Sequence, residues 1–393
     1  MSSPVYSNGT LAVRGGEERP LALGAAQVPI FQSAAFAYPD IDTWQAAALG
    51  QGAGDIYSRN SNPTTTVFEE KVRLLERAEA ATSFASGMAA ISNTLFSLLR
   101  PGDRVVSLTD TYGGTSKLFL KFLPEMGVKV DLVDTGNHEG LDAAIAQGCK
   151  VAYLETPTNP TLKIVDLRRA IAAAKRVGAT TVVDNTFATP INQLPLSLGA
   201  DLVVHSATKF LGGHDDAMGG IAAGRAELVS RVHHYREITG ACLSAMSAYL
   251  LLRGLKTLEL RVARQNATAL SMAKHLSAHP AVESVFYPGL PTHRDHAIAA
   301  TQMSGFGGVL SFAVKGSVDA STRFLNALRL AQRAASLGSV NTLAGPPRTT
   351  SHVECSVEER AKLGIPESLV RYSCGIENVD DLRADVDQAL KHV

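Results

Sequence analysis

The chain has 393 residues, 45% of them hydrophobic, and its 37 basic residues are balanced by 37 acidic ones. At roughly 150 residues per domain that length allows two to three domains, and the composition excludes a disordered chain. A formal charge of zero gives no clustered cations for nucleic acid or an anionic membrane, and no apolar run approaches the ~18 residues a bilayer span needs.

In chain order, residues 1–61 are rich in Gly, Ser, Ala and Pro with weak periodicity, which predicts an extended arm packed against something else, such as a partner subunit. The amino terminus lacks the basic and apolar regions of a secretory signal, so a cytoplasmic location is expected. Helical periodicity starts after Asn62-Pro63-Thr64, where Val67, Val72, Leu74 and Leu75 are interleaved with Glu69, Glu70, Lys71 and Arg73. A helix over Gly87–Leu99 and, past the turn Pro101-Gly102-Asp103, a strand over Arg104–Leu108 come next. The pattern then predicts helices over Lys117–Glu125, Leu141–Gln147 and Leu167–Val177, and strands over Val128–Val133, Val151–Leu154, Thr181–Val183 and Leu202–Val204.

Strands spaced by helices imply crossover connections, hence an α/β fold with a mostly parallel sheet covered on both faces. Beyond Leu258 the pattern turns to long amphipathic helices, such as Leu260–Leu276, and separated strand-like runs at Val285–Tyr287 and Gly308–Ala313. The expected organisation is an arm over 1–61, a large domain over 62–258 and a small α+β domain over 259–393.

In an open parallel sheet, ligands bind beyond the carboxyl ends of the strands. Three apolar runs end there in polar residues: one at Glu155 to Asn159, one at Asp184 to Thr186, and one at His205, Ser206, Thr208 and Lys209. Singly, Asp184 reads as a helix cap, Lys209 as solvated surface, and Ser206 and Thr208 as turn residues. Together they suit pyridoxal phosphate, which takes a lysine at its carbonyl, a carboxylate at its ring nitrogen, and hydroxyls with a helix amino terminus at its phosphate. Ser86-Gly87-Met88, where a loop enters a helix without bulk, is the expected phosphate cradle.

Competing chemistries find no support. No phosphate-loop motif occurs, and Gly52-Ala53-Gly54 runs into Tyr57 where a dinucleotide fingerprint needs glycine. His214-Asp215-Asp216 lacks further spaced metal ligands, and His293 and His296 fall on an expected surface loop. An esterase elbow is absent. Cys149, Cys242, Cys355 and Cys374 lie far apart and are expected to be free thiols.

Ser206-Ala207-Thr208-Lys209, after the run from Asp184 to Pro190 and the upstream run from Glu155 to Pro160, resembles the Cys/Met-metabolism pyridoxal phosphate enzymes. That family includes cystathionine gamma-lyases, cystathionine gamma-synthases, methionine gamma-lyases and O-acylhomoserine sulfhydrylases. The stretches from Tyr57 to Thr64, Tyr112 to Thr115, Tyr287 to His293 and Arg371 to Glu377 sit in family order. The resemblance implies the aspartate-aminotransferase-like fold, fold type I of the pyridoxal phosphate enzymes, and a homotetramer, a dimer of dimers with active sites shared across the tight dimer. It implies Lys209 as the cofactor-linked lysine, Asp184 as the ring-nitrogen partner, and Tyr112 as the stacked ring that assists catalysis. Ser86, Gly87, Met88, Ser206 and Thr208 match phosphate-binding positions, and Asn159 matches one near the cofactor's phenolic oxygen. Tyr57 and Arg59 match positions that reach the neighbouring subunit's phosphate. Arg371 with Ser336 matches the clamp for the substrate carboxylate.

Members of the family share this machinery and differ in a few pocket residues. Cystathionine-specific members usually carry glutamate before the serine matching Ser336; here Ala335 stands there, which favours an apolar thioether. The cysteine common in methionine gamma-lyases is Gly114 here, which weighs the other way. Arg348 is either a cation near the substrate tail or a surface arginine. The expectation is a carbon-sulfur lyase of γ-elimination, methionine type ahead of cystathionine type, releasing a thiol, 2-oxobutanoate and ammonia. The alternative is γ-replacement on an O-acylhomoserine. A cofactor-binding homologue without turnover is opposed by the intact Lys209, Tyr112, Asp184 and Arg371.

Overall fold

The computed structural model describes residues 6–17, 24–353 and 355–393. The first helices are α1, Asn8–Arg14, α2, Ile41–Ala48, and α3, Pro63–Glu76. In α3 the Asn62 side chain accepts from the Thr64 amide and Pro63 takes the first turn, where its missing N–H costs nothing. The composition predicts an extended arm, but its described residues Asn8–Arg14 are helical. Seven residues are too few to show a helical period, yet α1 packs on α3 and buries Ala12. Lys71 of α3, with no exposed surface, donates to the carbonyls of Ala12 and Val13 at 3.1 and 3.0 Å and to Glu17 Oε1 at 3.0 Å. Lys256 reaches the same carboxylate at 2.8 Å. Farther along, α2 leaves Ile41 and Trp44 exposed on its surface.

The large sheet has seven strands: β1 Ala80–Phe84, β2 Arg104–Leu108, β3 Lys129–Val133, β4 Val151–Glu155, β5 Thr180–Asp184, β6 Leu202–Ser206 and β7 Gly220–Gly224. Their order is β1-β7-β6-β5-β4-β2-β3, and only β7 runs against its neighbours. The connecting helices are α4 Gly87–Leu98, α5 Gly113–Lys117, α6 Leu123–Glu125, α7 His138–Ala146, α8 Leu167–Arg176, α9 Thr189–Asn192, α10 Ala226–Thr239 and α11 Ala245–Leu255. A π-helical turn over Leu118–Phe122 joins α5 to α6, so the expected 117–125 helix begins earlier and is irregular at its centre.

Both sheet faces are buried, which explains the unbroken apolar runs of the central strands. Alternate residues part company: Val105, Tyr153, Val182 and Val204 pack with α4, while Val106, Leu154 and Val183 pack with α7 and α8. Two strands of this sheet are not predicted from the sequence. β1 and β7 are built largely of Ala, Gly, Ser and Thr, which lack the bulk that marks a strand. At Gly220 the small residue is required, since a Cβ there would lie 2.1 Å from the Ser86 carbonyl oxygen.

The 21-residue helix α12, Leu258–Ala278, leads to a second sheet of order β10-β11-β12-β9-β8. Its strands are β8 Val282–Phe286, β9 Val309–Val314, β10 Gln332–Arg333, β11 Leu343–Gly345 and β12 Leu369–Ser373. Of these, β10, β11 and β12 are not predicted from the sequence either. Helices α13 His296–Gln302, α14 Val318–Ala327, α15 Val357–Lys362 and α16 Val379–Leu390 complete the chain. Met272, Tyr287, Phe312, Phe324, Tyr372 and Val386 form the centre of its core. No helix among the described residues is long and apolar enough to cross a membrane.

The buried Lys71 gives the fold a measurable anchor. Lys71→Met leaves two carbonyls without their donor and Glu17 with Lys256 alone, so a loss of about 3 kcal/mol is expected. Urea unfolding checks this as a lower midpoint at unchanged slope.

Candidate active site

The carboxyl ends of β4, β5 and β6 open on a cavity of about 480 Å³, closed on its other side by the segment after β10 and by β12. Strand register sets the near wall. Glu155 pairs with Asp184 at the last position of both strands, and Asp184 pairs with Val204. Lys209 follows β6 by three residues and lines the same space.

Asp184 is almost wholly buried. Its Oδ1 accepts the Thr186 amide at 3.0 Å and hydroxyl at 2.6 Å, and its Oδ2 accepts the Tyr153 hydroxyl at 3.3 Å. Burial pushes its carboxyl above the usual range, and the Thr186 donors pull against that rise. Glu155 is raised well above its ordinary value, by burial first and by Asp184 second, although its Oε2 accepts the Tyr112 amide at 2.8 Å. Two carboxyls this close in a dry site do not ionise equally.

Lys209 Nζ donates to Ser336 Oγ at 3.1 Å. Burial lowers its ammonium below the usual lysine range, and Arg371 adds to the effect. A lysine so shifted supplies free amine more readily, which suits a nucleophile or a proton carrier. Arg371, buried on β12, donates to Asn159 Oδ1 at 3.1 Å and to the Ser336 carbonyl at 3.0 Å. Burial brings its guanidinium down to about 10, so it stays cationic at neutral pH.

The opposite end of the cavity suits an anion. Ser86 caps α4 by accepting the Ala89 amide at 3.1 Å, while the amides of Gly87 and Met88 lie in the first turn, beyond intrahelical bonding. Ser206 and Thr208 line the same space. Gly87 is a true cradle, since a Cβ there would come within 2.5 Å of the Ser206 Cβ. An amine, a buried acid with bound donors, and a helix amino terminus with hydroxyls are the donor set for pyridoxal phosphate, and they fit it.

Of the residues singled out from sequence, Ser86, Gly87, Met88, Tyr112, Gly114, Asn159, Asp184, Ser206, Thr208, Lys209, Ala335, Ser336 and Arg371 all line this cavity. Tyr57 and Arg59 do not. Both are exposed, with the guanidinium carbon 5.1 Å from the tyrosine ring centroid. Arg348 is also outside, turned to the Thr322 hydroxyl at 2.9 Å and the Glu367 carbonyl at 3.0 Å. Of its two readings, the cation near a substrate tail is thus replaced by a structural arginine.

Tyr153 and Thr186, the supports of Asp184, were given no role from sequence. Tyr153 sits two residues before Glu155, so the period of the strand alone puts it on the same face. Met218, Phe187, Ser351 and Val353 also line the cavity, and no local pattern marks them. Gly87→Ala is expected to weaken cofactor affinity roughly tenfold, because overpacking against Ser206 costs one or more kcal/mol; fluorescence titration of the apoprotein checks it.

Comparison with known proteins points to the same cofactor. Residues 9–391 match the family described as Cys/Met metabolism PLP-dependent enzyme. The chain is 44% identical over 384 residues to an L-methionine gamma-lyase of Pseudomonas putida, covering 97% of this chain and 96% of that one. It is 42% identical over 385 residues to a cystathionine gamma-lyase of Bacillus subtilis, covering 98% and 99%. Among solved structures, cystathionine gamma synthase from Xanthomonas oryzae pv. oryzae in complex with cystathionine superposes with a TM-score of 0.94, at 39% identity and 99% coverage of both chains. Sequence, fold and donor set therefore agree: the chain belongs to the Cys/Met metabolism family of pyridoxal phosphate-dependent enzymes, with the fold type I architecture.

Proposed function

We propose that this enzyme catalyses γ-elimination on a sulfur amino acid, methionine type ahead of cystathionine type, yielding a thiol, 2-oxobutanoate and ammonia. The observation that carries this reading is the cavity wall around Ser336. Ala335, Leu337, Met218 and Val353 line it, and its only carboxylates among the described residues are Glu155 and Asp184 at the strand ends. An apolar thioether is at home there, whereas the second ammonium of cystathionine finds no added acid. The 44% identity to a methionine gamma-lyase supports the same choice.

Bound pyridoxal phosphate supplies an electron sink that acidifies the hydrogens of the substrate's α- and β-carbons. The chain's residues do the rest. Asp184 would hold the ring nitrogen, while Ser86, Gly87, Met88, Ser206 and Thr208 would hold the phosphate. Arg371 binds the substrate carboxylate through two parallel hydrogen bonds, with its fork aimed by Asn159 and the Ser336 carbonyl. Lys209 would anchor the cofactor, and its amine is placed to carry protons between Cα and Cβ. Tyr112, in the cavity wall, would stack on the ring and handle the proton at the departing sulfur.

In the same reading, Tyr57 and Arg59 reach a neighbouring subunit's phosphate in a tetramer of tight dimers. The arm then spans 1–61, the large domain 62–258 and the small domain 259–393. A second reading, γ-replacement on an O-acylhomoserine, is favoured by the likeness to an O-succinylhomoserine sulfhydrylase and to a cystathionine gamma synthase.

One holoenzyme sample, assayed separately with methionine, cystathionine, cysteine and O-acetylhomoserine with and without thiol, separates the readings. Oxoacid release from methionine without added nucleophile is expected. Thioether formation from the acylhomoserine, with negligible oxoacid from any substrate, would favour replacement. Lys209→Ala is expected to abolish cofactor retention after borohydride treatment, read by mass spectrometry; label on another side chain would defeat the assignment.

A further inference from the structure

Behind the cavity, on the hidden face of the sheet, lies a polar cluster that the chemistry above does not use. Glu76, at the last turn of α3, and His205 on β6 are both buried, with Glu76 Oε1 2.6 Å from His205 Nε2. The same oxygen accepts from Asn185 Nδ2 at 3.1 Å. Asn185 directly follows Asp184, so strand alternation sends its side chain to the face opposite the cavity. It is held on every side: its Nδ2 donates to the Gln193 carbonyl at 3.0 Å, its Oδ1 accepts from Gln193 Nε2 at 3.0 Å, and its amide donates to Val204 at 3.0 Å. Gln193 in turn accepts from Gln302 of α13 at 2.8 Å.

A carboxylate and an imidazole buried this deeply cost desolvation energy, and well-packed apolar residues would stabilise the fold at least as well. Stability alone does not account for them. We infer that Glu76 and His205 are positioning residues for this enzyme's reaction: from the far side of the sheet they grip Asn185 and β6, and so hold Asp184 where it meets the cofactor's ring nitrogen. This rests on the reading of Asp184 as the ring's acid partner. The electrostatics agree in sign, since burial raises the Asp184 carboxyl while the Thr186 donors, followed by His205, pull it back. The titratable groups set against His205 are Glu76, in contact, and Asp184, through space.

The geometry also says which substitution is harmless. Glu76 Oε1 makes both bonds, and Oε2 has no partner. Glu76→Gln therefore keeps the acceptor that matters, whereas Glu76→Leu removes it at similar volume. Dissociation constants for pyridoxal phosphate and the visible circular dichroism of the bound cofactor, which reports ring orientation, are read on each holoenzyme. Glu76→Leu is expected to weaken cofactor binding roughly tenfold and shrink the visible band, because Asn185 and His205 both lose the acceptor that holds them. Glu76→Gln is expected to restore both.

Wild-type affinity and band in Glu76→Leu, even with a lower melting temperature, would reduce the cluster to core packing and overturn the inference. A Glu76→Gln as weak as Glu76→Leu would overturn it too. Should Glu76→Leu not fold, His205→Phe removes the imidazole at similar volume, and the same two readouts apply with the same expected losses. Asp184→Asn serves as the separate control: wild-type affinity and band there would remove the reading of Asp184 itself, whatever Glu76 does.

Discussion

The parallel register of β4, β5 and β6 is the constraint from which the site follows. It ends β4 at Glu155 and β5 at Asp184 side by side, with β6 one strand farther, leading directly into Ser206, Thr208 and Lys209. Hydrogen-bonded strands lie about 5 Å apart. Two crossover connections thereby deliver an acid, hydroxyls and an amine to one patch from stretches of chain that span more than fifty residues. A slip of one residue in any of these strands would turn its functional side chain to the opposite face.

Burial then gives these groups their chemistry. Lys209, Asp184, Glu155 and Arg371 are all displaced from their ordinary ionisation, and in each case the leading cause is removal from water. The amine is lowered toward its free form and the acids are raised toward neutrality. Thr186 and Tyr153 spend donors on Asp184, and Asn159 spends an acceptor on Arg371. Asp184 and Arg371 are thus oriented by neutral neighbours, which is how a preorganised polar site avoids reorganisation during reaction.

Much of this was legible beforehand, and the failures have physical causes. The central strands and α3, α4 and α8 were readable because their residues carry strong period and clear caps or turns around them. β1 and β7 were not, since close approach of neighbouring backbone selects small residues and erases the strand signature. α1 was too short for a period, and its burial depends on Lys71, far along the chain. Arg348 shows the limit for the site itself: whether a loop arginine faces the cavity or Thr322 and Glu367 is decided by packing against α14, not by its neighbours in sequence.

By itself, then, the sequence determined the α/β class, the strand ends that carry Glu155, Asp184 and Ser206, and the cofactor chemistry their residue types permit. It could do so because period and residue chemistry are local properties, written over a few consecutive positions. Only the tertiary structure decided that Arg371 and Ser336 meet Lys209 and Asn159, that Tyr153 supports Asp184, and that Glu76, His205 and Asn185 lock together behind it. Those contacts join residues from tens to more than two hundred positions apart in the chain, and distance in space at that separation is set by how helices and sheets pack, not by any pattern within a single segment.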